Sequence, residues 1–252
     1  MGHMDINNIL TENEYTEDRS AEELFEFAKQ KEKQLKAWTP DHSDAKTRRE
    51  IRYRELEKGL PKKFRLELTP FSYYANTYYG NKPEVRLIPC CGSEQYDGII
   101  VDNNKKIFVE IADAALDWKW GLQKELLIEN GCSPWAHNIH GVKGNKTKRN
   151  RSASDIITSI DSPSHKDTIC KAKESVKNTA EEKCKKSLNT LLPYGQNTTV
   201  LIVTFDDTVV RPSIHKSCWD DFVNFKRNEI DPMEHNFSKI ILFGWLDKKF
   251  ID

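Results

Sequence analysis

Residues 94–114 of the chain read EQYDGIIVDNNKKIFVEIADA, and they predict a β-hairpin. Two runs rich in Ile, Val and Phe flank the polar sequence DNNK, a pattern typical of a tight turn between antiparallel strands. We expect one strand from Asp97 to Val101 and the next from Lys106 to Ala112. The other elements are placed around this hairpin.

The hairpin keeps two carboxylates among its apolar residues. If Asn103 and Asn104 form a two-residue turn, Asp97 falls opposite Glu110. Side chains placed so have their Cβ atoms about 4.5 to 5.5 Å apart, and like charges there destabilise the sheet. A divalent cation, a shared proton or a basic partner would offset the repulsion. A purely structural role remains open, mainly for Asp97, which lies near a strand end.

The elements around the hairpin indicate an α/β (α+β) fold, with a mixed central β-sheet flanked by helices. Ser20 followed by Glu23 is a capping box that predicts the start of an amphipathic helix. Further helices are expected at 43–60, 113–130, 167–192 and 218–230, further strands at 64–70, 85–89, 198–207 and 239–246, and an aromatic loop at 71–83.

The helix after the hairpin carries polar residues on its apolar side. At 100° per residue, Lys119 and Gln123 fall in the middle of an arc formed mainly by Leu and Trp. Buried Lys and Gln are rare without partners, and this helix leaves the strand soon after Glu110. We expect its inner face to look towards the two carboxylates, either as part of a site or as a structural salt bridge.

Composition excludes several classes of protein. The 252 residues include 39 basic and 39 acidic side chains, so net charge favours neither nucleic acid nor any other partner. No run approaches the roughly 18 apolar residues of a membrane span. The six cysteines are too sparse for a disulfide scaffold, which favours a cytoplasmic location. No phosphate-binding loop or dinucleotide fingerprint is visible.

The hairpin resembles the two short motifs of the PD-(D/E)XK nucleases, the superfamily of restriction endonucleases. YDGII matches the first motif with Asp97 as its acid, and VEIA matches the second with Glu110. The resemblance implies a restriction endonuclease-like core over residues 61–252, preceded by a helical region over residues 1–60. It also implies that Asp97, Glu110 and the backbone carbonyl of Ile111 hold Mg²⁺ or Mn²⁺.

One position departs from the family. Ala112 stands where the motif usually has a lysine that positions the attacking water. In some members the following helix supplies this lysine, which makes Lys119 the first candidate here and Lys124 the second. The resemblance also assigns supporting roles to Gln123 and to a glutamate of the first helical region, Glu50 or Glu55.

A basic segment lies in the loop at residues 132–165. Such residues contact phosphates without reading sequence, and a solvated loop is the alternative interpretation. We therefore expect a metal-dependent endonuclease of restriction or defence type, acting on DNA rather than RNA; such enzymes are often homodimers. Two alternatives stay open: a degenerate nuclease fold that binds nucleic acid without cutting, and a non-enzymatic α/β interaction protein. The basic residues are Lys143, Lys146, Lys148, Arg149 and Arg151.

Overall fold

The computed structural model describes residues 5–92, 94–114, 117–134, 138–159, 164–189, 198–207, 210 and 216–252. The helices are α1 (Glu12–Thr16), α2 (Ala21–Ala37), α3 (Ala45–Leu56), α4 (Gly59–Lys63), α5 (Thr69–Tyr79), α6 (Asp117–Asn130), α7 (His165–Ser187) and α8 (Lys216–Phe225). The strands are β1 (Arg86–Pro89), β2 (Gly98–Asp102), β3 (Lys105–Asp113), β4 (Ile139–Val142), β5 (Ile156–Thr158), β6 (Thr199–Phe205), β7 (Lys239–Gly244) and β8 (Lys249–Ile251).

The hairpin has the predicted two-residue turn. Asn103 and Asn104 have φ angles of 48° and 66°, the left-handed conformation that a type I′ turn requires at both central positions and that Asn tolerates. The register is confirmed from Asp102 with Lys105 to Gly98 with Val109. The N–H of Asp97 also bonds the carbonyl of Val109, at 2.8 Å, so the ladder becomes irregular there and the expected pair of Asp97 with Glu110 is not part of it.

A mixed six-stranded sheet forms the centre of the molecule, in the order β1-β2-β3-β6-β7-β8. The β3–β6 and β6–β7 pairs are parallel, whereas the flanking pairs are antiparallel. The crossovers that parallel pairs need are helical: α6 and α7 lie between β3 and β6, and α8 lies between β6 and β7. The expected α/β class is confirmed.

Each face of the sheet is covered by helices. On one face α2 and α5 pack against a cluster that includes Val109, Ile202 and Phe243. On the other face α7 and α8 cover Leu201 and Leu242. Residues of the N-terminal helical region belong to the first cluster, so that region shares its hydrophobic core with the sheet.

The strand expected at residues 64–70 is wrong. This segment is a π-helical turn, Phe64–Leu68, that joins α4 to α5, and the aromatic loop expected at residues 71–83 is largely α5. Alternating Phe64, Leu66 and Leu68 resemble a strand, but the buried residues are Phe64 and Leu68, at helical spacing. Pro70 lacks the N–H that would bond the carbonyl of Leu66, and the wider turn accommodates this loss, with Thr69 N–H bonding Phe64 instead.

The expected loop at residues 132–165 contains structure of its own. β4 and β5 form a two-stranded antiparallel sheet, which α6 covers with Leu122 and Leu126. The helix expected at residues 43–60 is shorter: α3 ends at Leu56, and Gly59, with a φ of 54°, begins α4. Among the described residues, no helix combines the length and apolar character needed to cross a membrane.

Candidate functional site

The candidate site lies at an open edge of β3. β2 begins only at Gly98, so residues 111–113 of β3 pair with β6 on one side and with no strand of the sheet on the other. Asp97 occupies this gap, where its Oδ2 accepts a hydrogen bond from the N–H of Ile111 at 2.6 Å. Because the N–H and C=O of one strand residue point to the same side, the carbonyl of Ile111 also faces the gap.

Asp97 is a strained acid. Burial, because the charged form loses water, and to a smaller extent the negative charge of Glu110 together raise the pKa of its carboxyl to about 6. The hydrogen bond from Ile111 and the charges of Lys183 and Lys63 act in the opposite direction. The repulsion expected from facing acids is therefore present and only partly compensated.

Glu110 has a basic partner from a distant helix. It lies on the face of β3 that α7 covers, and its Oε1 is 2.5 Å from Nζ of Lys183. The side chains of Glu110 and Lys183 are 14% and 24% exposed, so both are largely shielded from solvent. Sequence reasoning missed Lys183, because nothing in the spacing of α7 distinguishes it from the other lysines of that helix.

A third acid, Glu67, was also missed. It lies in the π-helical turn, which packs against β3, and burial together with the charge of Asp97 raises its pKa to about 7. Because a strand was expected at residues 64–70, the position of Glu67 near the hairpin was not predicted. The helical spacing of Phe64 and Leu68 was the signal that would have placed Glu67 on a helix facing the hairpin.

Lys63 lies one helical turn before Glu67 and binds the loop that precedes Asp97. Its Nζ donates to the backbone carbonyls of Cys91 and Gly92, at 2.5 and 3.1 Å, in the loop that leads to Asp97. Its charge lowers the pKa of both Glu67 and Asp97. Neither glutamate suggested by the family resemblance shows such coupling: Glu50 is exposed, and Glu55 pairs with Arg54 and Lys58.

The predicted residues of α6 have other surroundings. Lys119 is 8% exposed, and its pKa is lowered by burial and by the charge of Lys171. Gln123 donates to the carbonyl of Pro134 at 3.0 Å, and Nζ of Lys124 lies 3.5 Å from the carbonyl of Tyr53. The contacts of Gln123 and Lys124 do not place them with the acids, and a catalytic role for any of the three stays a prediction.

The basic residues between β4 and β5 divide into two groups. Arg151 forms two hydrogen bonds with Glu125 of α6, at 2.6 and 2.8 Å, which anchor the segment. Lys146 pairs with Asp155, and Lys143 donates to the carbonyl of Ser154. Lys148 and Arg149 are exposed, with no hydrogen bond or ion pair assigned to them within the described residues.

The oxygen atoms of Asp97, Glu110 and the Ile111 carbonyl are suitable ligands for a hard cation. Carboxylate and carbonyl oxygens are the ligands of Mg²⁺, which commonly takes one or two carboxylates and keeps waters. The raised pKa values of Asp97 and Glu67 come mainly from burial and to a smaller extent from a neighbouring carboxylate, and a bound cation would offset both effects. Within the described part of the chain, no group of three or more His, Cys, Asp or Glu side chains is already arranged around one metal position. The acids fit a cation that completes its shell with water.

No protein-family model, curated protein or solved structure matches the chain. The resemblance to PD-(D/E)XK nucleases thus depends on the hairpin motifs and on the order of the elements around them. Membership of that superfamily stays a prediction.

Proposed function

We propose that the protein is a divalent-metal-dependent nuclease that hydrolyses phosphodiester bonds, in DNA rather than RNA. The observation that carries the proposal is the gap at β3, where the buried Asp97 interacts electrostatically with Glu110 and with Glu67, and where Lys183 supplies a positive charge. A structural hairpin gains nothing from three acids gathered at one strand end. Metal-dependent hydrolysis of a phosphodiester uses oxygen ligands of this kind.

In this proposal Asp97, Glu110 and the carbonyl of Ile111 hold Mg²⁺ or Mn²⁺, with Glu67 beside them. Such a cation, when bound, lowers the pKa of a water and stabilises negative charge on the phosphate. The hydrogen bond from Ile111 holds Oδ2 of Asp97 in a fixed orientation, so the carboxylate does not have to be ordered when the cation arrives.

Lys183 takes the role left open at Ala112. The lysine of the family motif belongs to the same strand as the second acid, whereas Lys183 reaches Glu110 from α7. An ammonium at this position orients the attacking water and neutralises charge that develops on the scissile phosphate. The exposed residues Lys148 and Arg149 would add phosphate contacts that position the substrate.

The ion pair between Lys183 and Glu110 also favours an alternative function, nucleic-acid binding without cleavage. Because Lys183 already compensates Glu110, the acids are partly satisfied without a cation, as they would be in a nuclease fold that binds nucleic acid without cutting it. The two functions differ in a single outcome, cleavage. A restriction or defence role and a homodimer are further parts of the proposal.

Incubation with plasmid, single-stranded DNA and RNA tests the proposal, with Mg²⁺ or Mn²⁺ and with EDTA. We expect metal-dependent cleavage that Glu110→Gln and Asp97→Asn abolish. Glu182→Gln, on the same helix as Lys183 but exposed, is the matched control and should cleave normally. Cleavage unaffected by Glu110→Gln contradicts the site, and binding without cleavage under any metal favours the alternative.

A further inference from the structure

A cavity of about 300 Å³ lies between α5 and the sheet. Cavities that bind small molecules have volumes of about 300–1,000 Å³, so a ligand of modest size fits here. Ile107 lines the cavity and precedes Ile111 by four residues, about 13 Å along β3, so the cavity is separate from the gap at residues 111–113. Its uncharged lining includes three tyrosines of α5 and two apolar residues of the sheet, namely Tyr74, Tyr78, Tyr79, Ile107 and Val200.

The charged residues that line this cavity, among those the structure describes, are all lysines: Lys82, Lys105 and Lys239. Two of them pair with acids outside the lining, since Nζ of Lys239 is 2.9 Å from Asp252 and Nζ of Lys82 is 3.4 Å from Asp102. Lys105 is exposed, with no hydrogen bond or ion pair assigned to it within the described residues. Three ammonium groups thus stand against two carboxylates, a surplus of positive charge that an anion would offset.

Tyrosine rings hold two of these ammonium groups beside the cavity. Nζ of Lys239 lies 4.4 Å from the ring centroid of Tyr78, and Nζ of Lys82 lies 5.2 Å from that of Tyr79. Both distances are within the range of cation–π attraction. The hydroxyl of Tyr78 donates to Asp252 at 3.1 Å, the same carboxylate that binds Lys239. Because the two lysines are already placed, binding a ligand costs less conformational entropy.

We infer that this cavity binds a nucleoside phosphate, with the phosphate at the three lysines and the base against the tyrosines and the apolar residues of the sheet. Lysine is a common ligand of phosphate groups. Bases stack on aromatic side chains regardless of their identity, because every base has a flat face. The combination of lysines with rings distinguishes this ligand from a simple anion. The lining residues are remote from the acids of the proposed nuclease, so the inference stands without that function.

Isothermal titration calorimetry with AMP, in EDTA so that no metal contributes, tests the inference. We expect a Kd below about 1 mM. Adenosine lacks the phosphate and inorganic phosphate lacks the base, so each should bind about tenfold or more weakly than AMP. A wild type that does not bind AMP at about 1 mM overturns the inference. So does adenosine or inorganic phosphate that binds as tightly as AMP, because one half of the site then has no role.

Lys105 and Lys106 provide a matched pair of variants. Both are exposed and follow each other on β3, but successive side chains of a strand point to opposite faces, and Lys105 alone of the two lines the cavity. We expect Lys105→Met to weaken AMP binding about tenfold, the effect of losing one charged hydrogen bond, and Lys106→Met to leave it unchanged. Exposure of both side chains makes unfolding of either variant unexpected. Equal affinities in the two variants overturn the inference.

Glu110→Gln separates this inference from the proposed nuclease. Glu110 does not line the cavity, so the variant should bind AMP with the affinity of the wild type. Loss of AMP binding in Glu110→Gln places the ligand at the acids and overturns the inference. A failure of the proposed function shows instead as absent DNA cleavage while AMP binding is retained.

Discussion

The ammonium nitrogen of Lys183 lies 2.5 Å from a carboxylate oxygen of Glu110, although 73 residues separate them in the chain. Glu110 is in the middle of β3 and Lys183 is near the end of α7, so the contact joins the hairpin to the helix that covers it. Both side chains are largely buried, so the electrostatic attraction between them is stronger than that of an exposed pair.

Lys183→Met is expected to lower the rate of DNA cleavage by about 100-fold or more, the typical effect of removing one group that stabilises charge in the transition state. It also leaves Glu110 uncompensated, which should lower the free energy of unfolding by about 1–3 kcal/mol. Plasmid cleavage and urea unfolding measure the two effects separately.

Lys186→Met is the matched control for this prediction. Lys186 pairs with Glu182 on the same helix, but both side chains are more than half exposed, at 58% and 66%. We expect a change below about 0.5 kcal/mol and normal cleavage. Equal rates in the two variants would show that Lys183 has no role in hydrolysis.

Asp97→Asn is expected to stabilise the protein at pH 8 but not at pH 4. The pKa of Asp97 is about 6 in the folded state and near 3.8 when unfolded. Between these values the folded state keeps a proton that the unfolded state has released, so the stability present below pH 4 is lost as pH rises to 6. Asn keeps the acceptor for Ile111 and removes that loss, a gain of about 1–3 kcal/mol at pH 8.

Asp44 is expected to contribute to stability with the opposite pH dependence. It caps α3 by accepting the N–H of Thr47, and this bond lowers the pKa of its carboxyl. Its contribution is therefore present at pH 8 and lost as pH falls, so Asp44→Asn should destabilise at pH 8 and have less effect in acid. Urea unfolding of each variant at the two pH values checks both signs. Matching pH dependence in the two variants would contradict the assignment of a raised pKa to Asp97.

The sequence was sufficient where local chemistry determines structure. Asn103 and Asn104 tolerate left-handed backbone, so the turn length and with it the register of the hairpin from Gly98 to Asp102 could be predicted. Ser20 with Glu23 marked the start of α2 in the same way. Each of these signals lies within a few residues of the feature that it determines.

The rest of the candidate site depends on long-range packing. Glu67 interacts electrostatically with Asp97 because the π-helical turn that carries it packs against β3. Of the apolar arc predicted for α6, Leu122 and Leu126 are buried, and the element that covers them is the small β4–β5 sheet. Periodicity identifies the face of a helix that is covered, and it does not identify the element that covers it.

Gly98→Ala is expected to destabilise the protein because this glycine allows a close approach. A Cβ at Gly98 would lie 2.6 Å from Cε1 of Phe71, whose ring is fully buried. Relief requires the ring or the strand to move, at a cost of about 1–3 kcal/mol. A moved strand also displaces Asp97, the preceding residue, so metal-dependent cleavage should fall as well.

Two further variants test the cause of this effect. Phe71→Leu in the Gly98→Ala background should recover part of the lost stability, since the clash and the mutation share one contact. Gly121→Ala, in α6, has no atom within 4 Å of the added Cβ and should stabilise by about 0.5–1 kcal/mol through helix propensity. Chemical denaturation measures these variants together with Gly98→Ala and Phe71→Leu alone. A double variant no more stable than the sum of its single changes would exclude the contact as the cause.

Lys148 and Arg149 are expected to bind phosphates. Replacing both with Ala should weaken DNA binding equally for all sequences and reduce the salt dependence by about one unit per lost contact, without changing stability. Arg151→Met is the contrasting variant: it breaks two short bonds to Glu125, so it should lower the melting temperature. Fluorescence anisotropy of labelled DNA, without metal and over a range of salt concentrations, measures the slope. An unchanged slope in the double variant means that the phosphate contacts lie on another surface, because loss of two contacts cannot leave counterion release unaltered.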